Sequence, residues 1–146
     1  MEAEHVERDE VSYNACIYAC EAASDGDAAL HVLELMKRDR HWPNSATYKA
    51  AMWACVKAGQ WQAALDLFDE MAVHKVHPSE DNFHAAIWAC EVGCRDGSQM
   101  ADRAVELLKT MKLLKLERRT IAYDGALSAL ATEGVHTIRI FIIYYN

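Results

Sequence analysis

The 146-residue chain is 52 % apolar and carries a formal net charge of −7. That composition excludes a disordered polymer and allows one modest core or a short repeat array. No apolar run reaches the roughly 18 residues that a membrane-spanning helix needs. The acidic start MEAEHVERDE has neither the apolar core of a signal peptide nor the Arg-rich, acid-poor pattern of a transit peptide. Acidity argues against tight nucleic-acid binding by bulk charge. Residues 80–119 nevertheless hold seven acids and seven bases, and Lys109, Lys112, Lys115, Arg118 and Arg119 read as a solvated helix face or a local basic one.

A period of 35 residues organises the chain: Tyr48, Ala51, Ala54, Cys55, Ala58, Ala64, Leu65 and Met71 fall on Tyr13, Cys16, Ala19, Cys20, Ala23, Ala29, Leu30 and Met36. Residues 1–9 read as the tail of an earlier unit. Residues 10–44 form the first full unit, with a helix over 11–23, a turn at Ser24, Asp25 and Gly26, and a second helix over 28–38. Trp42-Pro43-Asn44 ends it, because Pro43 disfavours helix at Trp42 and cannot continue the pattern.

The second unit, 45–79, is the most regular. Asn44 or Ser45 can cap its first helix. Tyr48, Ala51, Met52 and Cys55 make one apolar stripe, and Ala50, Trp53 and Ala54 a second, so this helix packs on two sides. Gly59 suits a helix end with positive φ. Trp61, Ala64, Leu65, Phe68 and Met71 stripe the second helix, with Asp66, Asp69 and Glu70 expected to face water, and Pro78 closes the unit.

The third unit, 80–119, repeats the first helix with Phe83, Ile87, Trp88 and Cys90. Its turn carries about five extra residues, so Met111 lies 40 after Met71, an insertion that a turn tolerates. A partial fourth unit, 120–134, places Tyr123, Ala126, Leu127, Ala129 and Gly134 on the slots of Tyr48, Ala51, Met52, Ala54 and Gly59. The tail 135–146, VHTIRIFIIYYN, departs from the pattern and resembles an aggregation-prone strand. It reads as a truncated or misread end, a segment that docks on a partner, or an edge strand.

Of the five cysteines, Cys20, Cys55 and Cys90 share one repeat slot, which fits small thiols packed between helices in a reducing compartment. The C-x3-C pairs Cys16/Cys20 and Cys90/Cys94 lack a histidine at zinc-finger spacing, so no metal is expected. The seven histidines are scattered and no nucleophile motif stands out, so neither catalysis nor a cofactor is expected.

VSYNACI at 11–17, TYKAAMWACVKAGQWQAALDLFDEM at 47–71 and Pro43-Asn44 resemble the pentatricopeptide-repeat family, whose degenerate 35-residue helix–turn–helix units follow "VTYN-x-L-I … AG … A-L-x-L-F-x-x-M … P-D/N". The tetratricopeptide pattern runs at 34 residues and needs a Trp-x2-Leu-Gly element that is absent here. The Ala-Cys flavour of the units (YAC, WAC, WAC) is similar to algal and protist repeats of that family.

The resemblance implies an all-α solenoid, one stretch of a longer array, whose first helices line a groove that binds single-stranded organellar RNA at one base per repeat. On the family's pattern, the residue after the Tyr and the residue after the Pro read the base, and an apolar residue two before the Tyr wedges between bases. Unit one thus offers Asn14 and Asn44 with Val11 as wedge, an amide pair that suggests a pyrimidine. Unit two offers Lys49 and Ser79 with Ala46. Unit three offers His84 and Arg119 with Asp81, an acid that would repel phosphate. Unit four offers Asp124 with Ile121. Tyr13, Tyr48, Phe83, Trp53, Trp88, Cys20, Cys55, Cys90, Met36, Met71 and Met111 are expected to hold the array together.

Three units read at most about 64 sequences at one base each. Two functions therefore stand side by side. One is an RNA-binding protein of a mitochondrion or chloroplast, acting in RNA processing, stability or translation. The other is a non-catalytic protein–protein scaffold docked on a larger organellar assembly such as a ribosome or photosynthetic complex.

Overall fold

The computed structural model describes residues 9–116 and the positions 125, 126, 128, 129 and 131. Helices α1 (Glu10–Ala23), α2 (Gly26–Arg38), α3 (Ser45–Lys57), α4 (Trp61–Val73), α5 (Glu80–Arg95) and α6 (Ala101–Leu113) follow in order, and the described residues contain no strand. The fold is an all-α solenoid of helix–turn–helix units. The tail 135–146 lies outside the described residues.

Each first helix begins at a capped slot: Asp9, Asn44 and Ser79 are the N-caps of α1, α3 and α5, 35 residues apart. The Asp9 carboxylate accepts from Ser12 N at 2.8 Å and from Ser12 Oγ at 2.6 Å. Those bonds hold its pKa below the ordinary carboxylate value. Asn44 and Thr47 complete a reciprocal capping box. The Asn82 side chain accepts the Ser79 N–H at 2.9 Å.

Helix ends use left-handed backbone. First helices end with Ser24 (φ 55°), Gly59 (φ 78°) and Gly97 (φ 89°), and second helices with Arg40 (φ 62°), Lys75 (φ 56°) and Lys115 (φ 55°). In unit one the turn differs from the sequence reading. Ser24 supplies the left-handed residue and Asp25 caps α2, so Gly26 is the first residue of that helix and is buried. The reason is contact: a Cβ at Gly26 would lie 3.1 Å from the Cys55 Cα, so α2 starts against the α3 backbone.

The first helices stack in a row, α1 on α3 on α5. Each second helix packs on its own first helix, and α2 and α4 also pack on the first helix of the next unit. Comparison of slots shows which face binds the preceding unit. Ala50, Ala51 and Ala54 of α3, and Ala85, Ala86 and Ala89 of α5, are fully buried. Their counterparts Ala15, Cys16 and Ala19 of α1, which has no described unit before it, are exposed. The described positions of unit four continue the pattern. They are helical, Ala126 and Ala129 are buried, and the Ser128 hydroxyl lies 2.9 Å from Glu91 Oε1 of α5.

The slot-conserving bulky residues Tyr13, Tyr48 and Phe83 are buried, as are Met36, Met71 and Met111. Phe68 of α4 meets Phe83 of α5 edge-on at 5.0 Å. Cys55 and Cys90 are buried, whereas Cys20, Trp53 and Trp88 are half-buried and Tyr18, in the Trp53 slot, is exposed. All five cysteines are free thiols, and no cluster of metal-ligating side chains occurs among the described residues. No helix among them is long and apolar enough to cross a membrane.

Met71→Ala removes a side chain with no solvent exposure and is expected to lower stability by about 2–5 kcal/mol in denaturant titration, whereas Met71→Leu costs less than about 1.5 kcal/mol. Burial pushes the Cys55 thiol up to about 11 and the Cys90 thiol up to about 12, from an ordinary 9.0. Folding thus favours the neutral thiols, so this contribution is complete below pH 9.0 and is lost as pH rises through the folded values. The thermal midpoint is expected to fall above pH 9, less steeply in Cys55→Ala/Cys90→Ala. A slope identical in the double variant would refute the assignment.

Candidate functional site

Asn14, in α1 of the first unit, and Asn44, the cap of α3, come from different helices and meet at one hydroxyl. Thr47 Oγ1 lies 2.6 Å from Asn14 Oδ1 and 2.9 Å from Asn44 Oδ1, and it accepts the Asn44 N–H at 3.3 Å. Asn44 Oδ1 also accepts the Thr47 N–H at 2.9 Å, which fixes the orientation of that amide. With both oxygens turned to Thr47, the two amide NH2 groups are the polar atoms left to meet a ligand. Val11 stands beside them on α1, 74 % exposed.

The second unit is arranged differently. Lys49 Nζ lies 3.9 Å from Asp81 Oδ2 on α5. Ser79 caps α5, and its hydroxyl is 2.7 Å from Asn82 Oδ1. Asn82 is fully buried and stands in the Thr47 slot. Its oxygen also takes the Ser45 hydroxyl at 2.7 Å, and its nitrogen donates to the Ser45 carbonyl at 3.2 Å, which ties unit three to unit two. In the third unit His84 is 6 % exposed, with Nε2 at 3.7 Å from Glu80 and Nδ1 at 4.0 Å from Asp81. Asp81 thus faces both Lys49 and His84, while Ala46 is exposed. Arg119, Ile121 and Asp124 lie outside the described residues.

A second polar centre forms where α2, α3 and α4 meet. The Lys37 ammonium pairs with Glu70 and, at 3.2 Å, with Glu34. The Tyr48 hydroxyl donates to Glu70 at 3.2 Å, and His74 Nε2 lies 3.4 Å from the same carboxylate. Glu70 is therefore a half-buried junction between units rather than a water-facing residue of the polar stripe. Burial alone would lower the Lys37 basicity, and the hydrogen bonds to Glu70 and Glu34 outweigh it and raise it. Burial and then the Glu70 charge push the Tyr48 hydroxyl well above its ordinary value. Sequence reasoning named neither Thr47 nor Glu70 as a junction. The usable signal was the 35-residue slot of Thr47 and Asn82; nothing local marks Glu70.

Six helices in antiparallel pairs among the described residues, each first helix opening on a capped slot, define a helical-repeat solenoid. The family model for the pentacotripeptide-repeat region of PRORP matches residues 1–100, and the chain belongs to the pentatricopeptide-repeat family. Among curated proteins no sequence relative is found. The chain is similar to the PPR domain of Arabidopsis thaliana protein-only RNase P 1 in complex with tRNA (TM-score 0.77, 19 % identity, 96 % of this chain and 71 % of that one). It is also similar to nuclear proteinaceous RNase P 2 from A. thaliana (TM-score 0.78, 15 % identity, 96 % of this chain and 30 % of that one). A third likeness is to the pentatricopeptide repeat protein PPR10 in complex with an 18-nucleotide psaJ RNA element (TM-score 0.70, 18 % identity, 97 % of this chain and 20 % of that one). The chain therefore spans less than a third of the last two proteins.

Asn82→Ala is expected to destabilise the chain by about 1–3 kcal/mol, because the Ser79 N–H and Ser45 hydroxyl lose their fully buried acceptor. Asn14→Ala, on a half-exposed side chain, is expected to cost less than about 0.5 kcal/mol. Equal losses in urea melts would show that Asn14 is structural.

Proposed function

We propose that this chain is a single-stranded RNA-binding module that reads bases along its row of first helices, without a reaction of its own. The convergence of Asn14 and Asn44 on Thr47 carries the reading. Two amides from successive helix starts present NH2 donors side by side, which suits the carbonyl oxygens of a pyrimidine edge. Membership of the pentatricopeptide-repeat family supports it, as do the nucleic acids bound by two of the structurally similar proteins, a tRNA and an 18-nucleotide RNA. Lys49 and Ser79 serve the second position, with Arg119 and His84 at the third. The biological role we assign is RNA processing, stability or translation in a mitochondrion or plastid.

A second reading is favoured by Asp81, which occupies a wedge slot and faces both Lys49 and His84, leaving little positive potential there. On that reading the solenoid is a scaffold subunit on a larger organellar assembly.

Titration of short single-stranded RNAs by fluorescence anisotropy at low salt tests the first reading. Pyrimidine-rich oligomers are expected to bind better than purine-rich ones. Asn14→Ala and Asn44→Ser, which keeps the cap, are each expected to weaken binding about 2- to 10-fold, the worth of one hydrogen bond. Absence of binding at low salt, with partner capture that survives nuclease, would assign the scaffold role instead.

A further inference from the structure

The loops between units carry two features that base reading does not use. The first is a row of cations. Arg40, Lys75 and Lys115 occupy one repeat slot, spaced by 35 and 40 residues, just past the ends of α2, α4 and α6. All three are exposed, and none has an ion-pair partner among the described residues. All three hold left-handed backbone, with φ of 62°, 56° and 55°. Glycine or asparagine is the usual occupant of such a position. The corresponding slot past the first helices is filled by Ser24, Gly59 and Gly97. Among the residues in left-handed backbone past helix ends, long cationic side chains therefore occur on one rim only, at positions where they are conformationally disfavoured. The opposite rim, where first helices turn into second, carries Asp25, Asp27, Asp96 and Asp102, and its cations Lys57 and Arg95 are each paired with a glutamate. Of the acids on the cationic rim, Asp39 is engaged by Arg38 and the Tyr13 hydroxyl, and Glu80 and Asp81 are turned to His84 and Lys49 on the first-helix side.

The second feature is an aromatic cleft on the same rim. Trp42, 61 % exposed, leans on the His74 ring at 5.5 Å and 41°. Pro43, Tyr48 and Val76 complete a cleft of about 210 Å³. That is smaller than the roughly 300–1,000 Å³ of a drug-sized site and fits one planar ring system. Two of its walls are held by one carboxylate: Glu70 takes both the Tyr48 hydroxyl and His74 Nε2. Trp42 is two residues from the reader Asn44 and two from the cation Arg40.

We infer that this rim is the path of the RNA backbone: Arg40, Lys75 and Lys115 take successive phosphates, one per unit, and Trp42 stacks one base in the cleft it makes with His74. The inference rests on the RNA-binding reading above and adds a track and a stacking site that the base readers do not contain. A flat, exposed aromatic face beside cations recognises single-stranded nucleic acid without regard to sequence. Stacking and phosphate contact thus supply affinity while Asn14 and Asn44 supply selection, and a chain of net charge −7 acquires one positive rim.

The test uses the full chain and a labelled single-stranded RNA dodecamer in anisotropy titrations from 50 to 300 mM salt. Trp42→Ala is expected to weaken binding about 5- to 100-fold, and Trp42→Phe to restore most of it. The triple variant Arg40→Gly/Lys75→Gly/Lys115→Gly relieves three left-handed residues, so its thermal midpoint is expected to be no lower than that of the parent. Its log–log salt slope is expected to be shallower by about two, at roughly 0.7 per phosphate lost from a single strand. Binding that responds to Asn14→Ala but is unchanged, in affinity and in salt slope, by both sets of rim variants would overturn the rim path and leave the RNA reading standing. No RNA binding by the parent chain would overturn both. A protein partner retained after nuclease treatment and lost in Trp42→Ala would assign the cleft to protein and overturn the rim path.

Discussion

The structure depends on the close approach of successive first helices through small side chains. Ala50 and Ala54 of α3, Ala85 and Ala89 of α5, and Gly125 and Ala129 of the next unit occupy two repeat slots and are buried throughout. A Cβ at Gly125 would lie 3.0 Å from Ile87, which shows how little room the contact leaves. Helices this close exclude water along the alanine seam, and dispersion then accumulates from many weak contacts. The larger residues work around that seam: Tyr48, Phe83 and the three slot-equivalent methionines fill the space between first and second helices. Stability in such an array is a sum of unit and neighbour terms, so one enlarged alanine acts on two units at once.

Apolar packing alone would let units slide, and a polar layer limits that freedom. Asn82 reaches back to Ser45, Lys37 to Glu70, Lys57 to Glu21, and Arg103 to Asp69. Each link joins neighbouring units. The surface pairs contribute little individually in water. Asn82 is different because it is fully buried and satisfies several partners, so it specifies register more strongly than any exposed pair.

Much of the fold was legible from sequence because the repeat multiplies each weak signal. Tyr13, Tyr48 and Phe83 share a slot, as do the three methionines, and period alone located the helix pairs. The turn of unit one differs because Gly26 has the look of a turn residue, whereas a Cβ there would meet the Gln60 side chain and crowd the α3 backbone. Glu70 was assigned to water because helical phase makes it polar-facing. Only the approach of Lys37, Tyr48 and His74 from other elements turns it into a junction. The amide pair Asn14 and Asn44 was legible as residue types and spacing. Their shared hydroxyl was not, since Thr47 lies 33 residues from Asn14 and no local rule pairs them.

Net charge is a poor guide to what such an array binds, because hairpin topology sorts charge by helix end. Acids favour helix N-termini and cations helix C-termini through the backbone dipole, at about 0.3–1 kcal/mol each. Asp25, Asp27 and Asp102 at the starts of α2 and α6, and Lys37, Arg38 and Lys112 at their ends, follow that rule. In a hairpin stack this places the two signs of the second helices on opposite rims. Arg40, Lys75 and Lys115 lie one step beyond, where left-handed backbone costs a non-glycine residue roughly 1 kcal/mol, about what the dipole returns. The fold is therefore nearly indifferent between glycine and a cation at that slot. A basic residue recurs in all three described units although folding energetics does not require one, which leaves the slot free to serve the phosphate track proposed above.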